Sequence, residues 1–214
     1  MKNLLVIMFF MLTGVCAAFS QETEYYEVDG KQVSKGEFLI AARKPGMIEG
    51  YLAANGRKEY RVFGSSGRGV KPADSLVMLR NYLQLISKTV IPSDEVLLIE
   101  YYPGVDPCNK HFEEPGRMKD FVIRDENYYQ MLVKGYKNVS RFNICESFDG
   151  LKYLRKVKTY YPDTEQLVKK LFFNYHFPCG SFVVIKPDGS YYAHYGEYPR
   201  IHVAKIISEM ATVK

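Results

Sequence analysis

The chain has 214 residues, of which 47% are hydrophobic, 25% charged and 14% aromatic, enough for the core of one domain with an extension. Its 16 glycines and 10 prolines are an ordinary share, which excludes collagen-like and disordered chains. The net charge of +5 is spread along the chain without the dense Lys/Arg run typical of nucleic-acid-binding proteins, so we expect no nucleic-acid partner.

The first twenty residues have the pattern of a secretory signal peptide. Lys2 supplies a positive charge, residues 4–15 form an apolar stretch, and Ala18 and Ser20 place small residues before a cleavage point. We expect the mature chain to begin at Gln21 and to be exported, either to the periplasm or outside the cell. No later stretch approaches about 18 apolar residues, so no membrane span is expected in the mature chain.

Two alternatives to cleavage before Gln21 stay open at this point. The segment can remain as an uncleaved anchor. Cys16 can instead carry a lipid, as in bacterial lipoproteins, but Val15 stands where a lipoprotein signal normally has a small residue, and this argues against lipidation.

Residues 21–92 are predicted to form an extension of short strands with one helix. Asn55-Gly56 is a two-residue hairpin signal between two strand-like runs. The glycine-rich segment 64–69 lacks the Gly-Lys-Ser/Thr of a phosphate loop and is interpreted as a flexible loop. The helix that follows ends before Pro92, and its apolar residues recur at helical spacing: Leu76, Leu79, Leu83, Ile86 and Val90.

The elements after residue 92 are predicted in the order β-α-β-α-β-β-α. Helices of ordinary length between strands require parallel crossovers, whereas the Pro187-Asp188-Gly189 turn requires an antiparallel hairpin. We therefore expect an α/β fold with a mixed four-stranded sheet flanked by helices. The predicted strands are 95–102, 139–145, 181–186 and 190–195, and the predicted helices are 118–134, 151–173 with a break at Pro162, and a terminal helix from Pro199.

Two cysteine-containing segments lie directly next to predicted strands. The first strand runs into Gly104-Val105-Asp106-Pro107-Cys108, and Pro178-Cys179-Gly180 leads into the third strand. Residues 93–214 thereby resemble the thioredoxin-like superfamily, in particular its exported bacterial thiol–disulfide members. Against the family's W-C-G-P-C segment, Pro107 and Cys108 match the last two positions, and Val105 stands at the first cysteine. Gly180 stands where the family has a cis-proline.

The resemblance implies that Cys108 and Cys179 lie on loops at the same end of the sheet. We expect their Cα atoms within about 10 Å of each other, and we take both as candidate catalytic residues. The implied activity is thiol–disulfide exchange with a protein thiol substrate, without a cofactor. A thiol at the start of a helix is favoured as thiolate. Cys145, on a predicted interior strand, is expected to be a buried core residue.

Other interpretations of the cysteines remain open. Cys108 and Cys179 either cycle between dithiol and disulfide or form a static disulfide or buried free thiols. The missing first cysteine fits a catalytically inactive thioredoxin-fold module that binds a protein partner, for instance through residues 21–92. A minor alternative has His111 and His176 joining the two cysteines in a copper or zinc site.

Overall fold

A computed structural model of the chain describes residues 22–54, 56–110 and 117–211. The predicted signal peptide, Cys16 and His111 lie outside these residues. In the described part of the chain, no helix has the length and apolar character needed to cross a membrane.

The described elements follow one another in an order close to the predicted one. They are β1 (Glu22–Tyr26), α1 (Lys35–Ala42), β2 (Met47–Ala54), β3 (Arg57–Gly64), β4 (Ser66–Val70), α2 (Ala73–Ser87), β5 (Val96–Tyr102), α3 (Arg117–Val133), β6 (Val139–Cys145), a 3-10 turn (Leu154–Lys156), β7 (Tyr161–Pro162), α4 (Leu167–Phe172), β8 (Ser181–Ile185), β9 (Ser190–His194) and α5 (Arg200–Met210).

The first part of the chain forms a small sheet covered by a helix. The sheet has the order β1-β3-β2, with β1 parallel and β2 antiparallel to β3, which confirms the hairpin expected between β2 and β3. Helix α1 begins at a capping box of Ser34 and Glu37 and buries Phe38 and Ala41. Helix α1 was not predicted, because its apolar residues are consecutive and show no helical spacing.

The main sheet has six strands in the order β4-β9-β8-β5-β6-β7. Strands β5 and β6 are parallel, β8 is antiparallel to β5, and β9 is antiparallel to β8. The four central strands are the predicted ones, and their order and directions are those of the thioredoxin-like fold. The expected mixed sheet flanked by helices is confirmed, but its strand number was wrong, because β4 and the two-residue β7 extend the two edges.

The glycine-rich segment predicted as a flexible loop is strand β4. It pairs antiparallel with β9, and Gly69 lies opposite Tyr191. A Cβ on Gly69 would lie 3.0 Å from the Tyr191 ring, and one on Gly67 would lie 3.0 Å from the Tyr195 hydroxyl. Tyrosine rings therefore cover the glycines of this edge strand. The local sequence gave no sign of this because the covering side chains come from residues more than 100 positions away.

The single broken helix predicted for 151–173 is also wrong. The segment contains a 3-10 turn, the short strand β7 at Pro162, and helix α4. The buried carboxylate of Asp163 accepts hydrogen bonds from the backbone N–H groups of Leu167 and Lys169, each at 2.9 Å. The Asp163 carboxylate thereby accepts the backbone N–H groups that have no partner within the first turn of α4. The helix begins at Leu167, beyond the predicted break at Pro162.

Strand β5 is buried on both faces and separates two halves of the core. Leu97, Ile99 and Tyr101 pack in the cluster formed with α2 and α4. Val96 and Leu98 pack in the cluster formed with α3 and α5. Because side chains alternate along a strand, Glu100 belongs to the α3–α5 face. A carboxylate is thus buried there beside the end of β5.

Candidate functional site

Cys108 and Cys179 form a disulfide at one end of the main sheet. Their Cα atoms are 5.3 Å apart, within the range that disulfides adopt, although the residues are 71 positions apart in the chain. Cys108 lies in a turn after β5 and Cys179 in the loop before β8, and both are half-buried. The expected proximity of the two cysteines is confirmed. Cys108 itself lies in a turn, and the described part of α3 begins at Arg117.

The carboxylate of Asp106 holds both cysteine loops together. Its Oδ1 accepts the backbone N–H groups of Cys108 at 2.8 Å and Asn109 at 3.0 Å. Its Oδ2 accepts the backbone N–H of Cys179 at 2.9 Å and the Nε2 of His176 at 3.2 Å. The side chain of Asp106 is only 3% exposed. One buried carboxylate therefore binds the backbone of both disulfide partners.

The turn that presents Cys108 is closed by a second buried side chain. The Oδ1 of Asn109 accepts the backbone N–H of Asp106 at 2.9 Å, and its Nδ2 donates to the Gly104 carbonyl at 2.8 Å. Asp106 and Asn109 thus bond reciprocally, in the manner of a capping box. The reciprocal bonds hold the Cys108 backbone independently of the disulfide.

The loop that presents Cys179 is anchored to the small N-terminal sheet. Tyr51 of β2 and His176 exchange two backbone hydrogen bonds of 3.0 and 2.8 Å, and their rings stack with centroids 4.5 Å apart. Phe177 packs against Phe63 of β3 and Tyr195 at centroid distances of 5.2 and 4.6 Å. The small sheet thereby supports the residues that precede Cys179.

The chain passes close to β5 immediately after Cys179. Gly180 has a φ of 149°, and a Cβ at this position would lie 3.2 Å from the carbonyl oxygen of Tyr101. Cys179 itself has a left-handed φ of 69°. Gly180 has no side chain and therefore lets the loop approach the strand. The described residues contain no cis peptide bond.

A cavity of about 330 Å³ opens beside the disulfide. Its lining includes Cys108, Cys179 and Glu197 together with charged side chains from β5, α3, α5 and the segment before β7. These charged residues are Glu100, Asp125, Glu126, Lys158 and Arg200. A cavity with apolar and charged walls next to a half-buried disulfide leaves room for a segment of a partner molecule.

The charged lining residues form an ion-pair network centred on Glu100. Arg200 bonds to Glu100 and, at 2.9 Å, to Asp125, and Lys158 lies 4.0 Å from Glu100 and 3.6 Å from Glu126. Burial alone would raise the pKa of Glu100, but the positive charges of Lys158 and Arg200 outweigh it and lower the pKa. The network keeps Glu100 ionised and fixes α3 and α5 against β5.

Cys145 is the third cysteine among the described residues, and it is buried and free. Its thiol lies 3.6 Å from the Tyr161 carbonyl oxygen. Burial raises its pKa to about 11. The expectation of a buried core residue is confirmed, and Cys145 is unreactive near neutral pH because the thiolate is the nucleophile.

We therefore predict that Cys145 resists alkylation in the folded protein. When the reduced native protein is treated with iodoacetamide at pH 8, Cys108 and Cys179 should be labelled and Cys145 should not, because the pH is about three units below its pKa. Peptide mass spectrometry measures the three sites separately. Labelling of Cys145 at the rate of the other two, without unfolding, would contradict this assignment.

Of the two histidines in the metal alternative, the described one, His176, does not join the sulfurs. His176 binds Asp106, and His111 lies outside the described residues. In the described part of the chain, the ligand group around the two sulfurs consists of Cys108, Cys179 and Glu197. His194 and His202 pack against each other and around Phe182.

Comparison with known proteins gives distant structural neighbours. No protein-family model and no curated protein matches the chain. A secreted disulfide oxidoreductase of Mycobacterium tuberculosis, homologous to E. coli DsbE, is 11% identical with a TM-score of 0.36, covering 56% of this chain and 84% of its own. The M. tuberculosis protein dsbF is 11% identical with a TM-score of 0.37, covering 55% and 81%. StoA from Bacillus subtilis is 6% identical with a TM-score of 0.37, covering 52% and 81%.

At these identities and TM-scores the neighbours transfer no activity to this chain. The fold class rests on the strand order of the main sheet, and the site rests on its own geometry. Together they define a protein of thioredoxin-like fold in which one disulfide joins the loop after the first central strand to the loop before the third.

Proposed function

We propose that the protein is an exported thiol–disulfide oxidoreductase whose redox couple is Cys108 and Cys179 and whose substrates are protein thiols. The observation that carries the proposal is the half-buried disulfide beside an open cavity. A structural disulfide sealed in the core would have no room for the attacking thiolate. Here both cysteines line the cavity.

The exchange needs only the two cysteines and a substrate dithiol. A substrate thiolate attacks one sulfur, the Cys108–Cys179 bond breaks, and the other cysteine leaves as a thiolate that takes up a proton. The second substrate thiol then attacks the mixed disulfide. The substrate is oxidised to a disulfide and the protein is reduced to two thiols, with two electrons transferred. The reverse sequence reduces a substrate disulfide.

Asp106 supports the resolution of the mixed disulfide by the second cysteine of the pair. This support matters because residue 105 is a valine and supplies no neighbouring thiol. Because its carboxylate binds the backbone N–H groups of both Cys108 and Cys179, opening of the sulfur–sulfur bond leaves the two loops joined. The leaving cysteine stays beside the mixed disulfide and can resolve it intramolecularly. Cys179 thus takes the role that the first cysteine has in the W-C-G-P-C segment of the thioredoxin-like superfamily.

The activity is tested by reduction of insulin with dithiothreitol as the electron donor. We expect the wild-type protein to accelerate insulin precipitation, C108S and C179S to lose the acceleration, and C145S, which removes a thiol outside the couple, to retain it. A wild-type rate equal to that of C108S and C179S would overturn the proposal.

A catalytically inactive binding module is the second candidate. Val105 at the first cysteine position favours it, because the usual intrachain dithiol cannot form there. In that case the Cys108–Cys179 disulfide is static and resists dithiothreitol in the folded protein. A thiol count that does not change on native reduction would support this candidate.

A further inference from the structure

Glu197 faces the disulfide with a carboxylate that has no partner among the described residues. A carboxylate oxygen of Glu197 and the sulfurs of Cys108 and Cys179 all lie within 4.8 Å of one another. Across the described parts of the chain, no hydrogen bond or ion pair involves this carboxylate. Its backbone carbonyl, in contrast, is held by the Nε2 of His194 at 3.1 Å. The residue is therefore positioned by its backbone while its side chain is available to a ligand.

The Glu197 oxygen lies near the distance from the sulfurs that a tetrahedral zinc site requires, whereas the two sulfurs are bonded to each other and have to separate. With zinc–sulfur bonds of about 2.3 Å and zinc–oxygen bonds of about 2.1 Å, tetrahedral angles place two sulfurs about 3.8 Å apart and sulfur and oxygen about 3.6 Å apart. Because the sulfur–oxygen distances are at most 4.8 Å, the carboxylate oxygen has to move by no more than about 1.2 Å towards the sulfurs. Reduction of the disulfide lets the sulfurs separate to the required distance.

The surroundings also fit a metal with an open coordination position. Both cysteines and Glu197 line the cavity, so a water or another exogenous ligand can occupy the fourth position. The neighbouring cations are already engaged, since Arg200 binds Glu100 and Asp125, and Lys158 lies between Glu100 and Glu126. Two thiolates and a carboxylate are a donor set that suits Zn²⁺ better than hard cations such as Mg²⁺.

We infer that the reduced protein binds one Zn²⁺ through Cys108, Cys179 and Glu197, and that oxidation of the two cysteines releases it. The inference rests on the proposed function, since the site exists only after the disulfide is reduced. A dithiol reductant supplies two electrons and two protons and itself becomes a disulfide. Zinc then displaces the two thiol protons. A substrate disulfide takes two electrons from the zinc-bound thiolates and two protons from water and becomes two thiols, while the Cys108–Cys179 bond forms again and Zn²⁺ is released.

The test is a zinc titration of the folded chain in its oxidised and reduced states. The protein is reduced with a phosphine, freed of reductant without air, and its thiols are counted before Zn²⁺ competes with a chromophoric chelator. Co²⁺ then replaces Zn²⁺ to reveal thiolate ligation and coordination geometry by absorption. E197Q removes the carboxylate charge, and E165Q removes an exposed carboxylate elsewhere as the matched control.

The expected result is one Zn²⁺ per reduced chain, none per oxidised chain, and thiolate-to-cobalt charge-transfer bands with tetrahedral ligand-field intensity. Because loss of even a second-shell partner weakens metal affinity about 10- to 100-fold, E197Q should bind Zn²⁺ at least about tenfold more weakly. E165Q should bind Zn²⁺ as tightly as the wild type. C108S and C179S each keep only one of the two cysteines, so neither should show the cobalt charge-transfer intensity of two thiolate ligands.

Equal zinc affinity of E197Q and wild type would overturn the inference, as would a reduced wild type that binds no zinc. Both results leave the exchange activity standing, because insulin reduction and the gain of two thiols are measured without metal. A native protein that gains no thiols on reduction would instead overturn the proposed function and the zinc site with it.

Discussion

Replacing Cys108 and Cys179 together by alanine is expected to lower the free energy of unfolding by about 4 kcal/mol. The disulfide joins residues 71 positions apart, and closing a loop of that length removes about this much conformational entropy from the unfolded chain. The loss should be seen as a lower urea midpoint for the double variant than for the oxidised wild type. The slope of the unfolding transition should rise, because the uncrosslinked chain exposes more surface.

The reduced wild type is the matched control for this variant. It lacks the same crosslink but keeps both side chains, so its unfolding free energy should lie within about 1 kcal/mol of that of the double variant. A double variant as stable as the oxidised wild type would show that the crosslink does not restrict the unfolded chain, and the disulfide assignment would then be wrong.

The second large effect is expected at Asp106. Asp106→Ala leaves the backbone N–H groups of Cys108 and Cys179 without their acceptor, whereas the Asn109 N–H keeps its bond to the backbone carbonyl of residue 106. Each unsatisfied buried donor costs about 1–3 kcal/mol, so we expect a loss of about 2 kcal/mol or more in unfolding free energy. The variant should also slow insulin reduction, because the resolving cysteine is no longer held beside the mixed disulfide.

Two further variants separate this role from a general effect of removing charge. Asp106→Asn keeps the shape and one acceptor oxygen, and its loss should be smaller than that of alanine. Asp149→Ala removes an exposed carboxylate that accepts from Ser147 within its own turn, and it should change stability by no more than about 0.5 kcal/mol. Urea unfolding of all three measures the order. Equal stability of Asp106→Ala and Asp149→Ala would contradict the tether between the two loops.

The parts of the structure that were predictable from the sequence are those with local signals. Strand β5 is a continuous apolar run, and the β8–β9 hairpin has a turn at its tip, so both were found. The proximity of Cys108 and Cys179 followed from strand order and resemblance together. Strand β4 was missed because the tyrosines that cover its glycines come from β9 and the residue after it.

The residues that support the disulfide were missed for a similar reason. Asp106 draws its hydrogen-bond donors from two loops 70 positions apart, and only its pairing with Asn109 leaves a local signal, an acidic residue three positions before an amide. Glu100 did carry a signal, since a charged residue in an otherwise apolar strand requires buried partners. Glu197 had none, because its importance lies only in its distance from the two sulfurs.

The most direct test of the redox couple is an equilibrium titration of the native protein with reduced and oxidised dithiothreitol. Samples at defined ratios are quenched with an alkylating reagent, and the labelled cysteines are located by mass spectrometry. We predict a single reversible two-electron transition in which Cys108 and Cys179 are labelled together while Cys145 stays unlabelled and the protein stays folded. A disulfide that remains closed at every ratio, and opens only when urea unfolds the chain, would contradict the account.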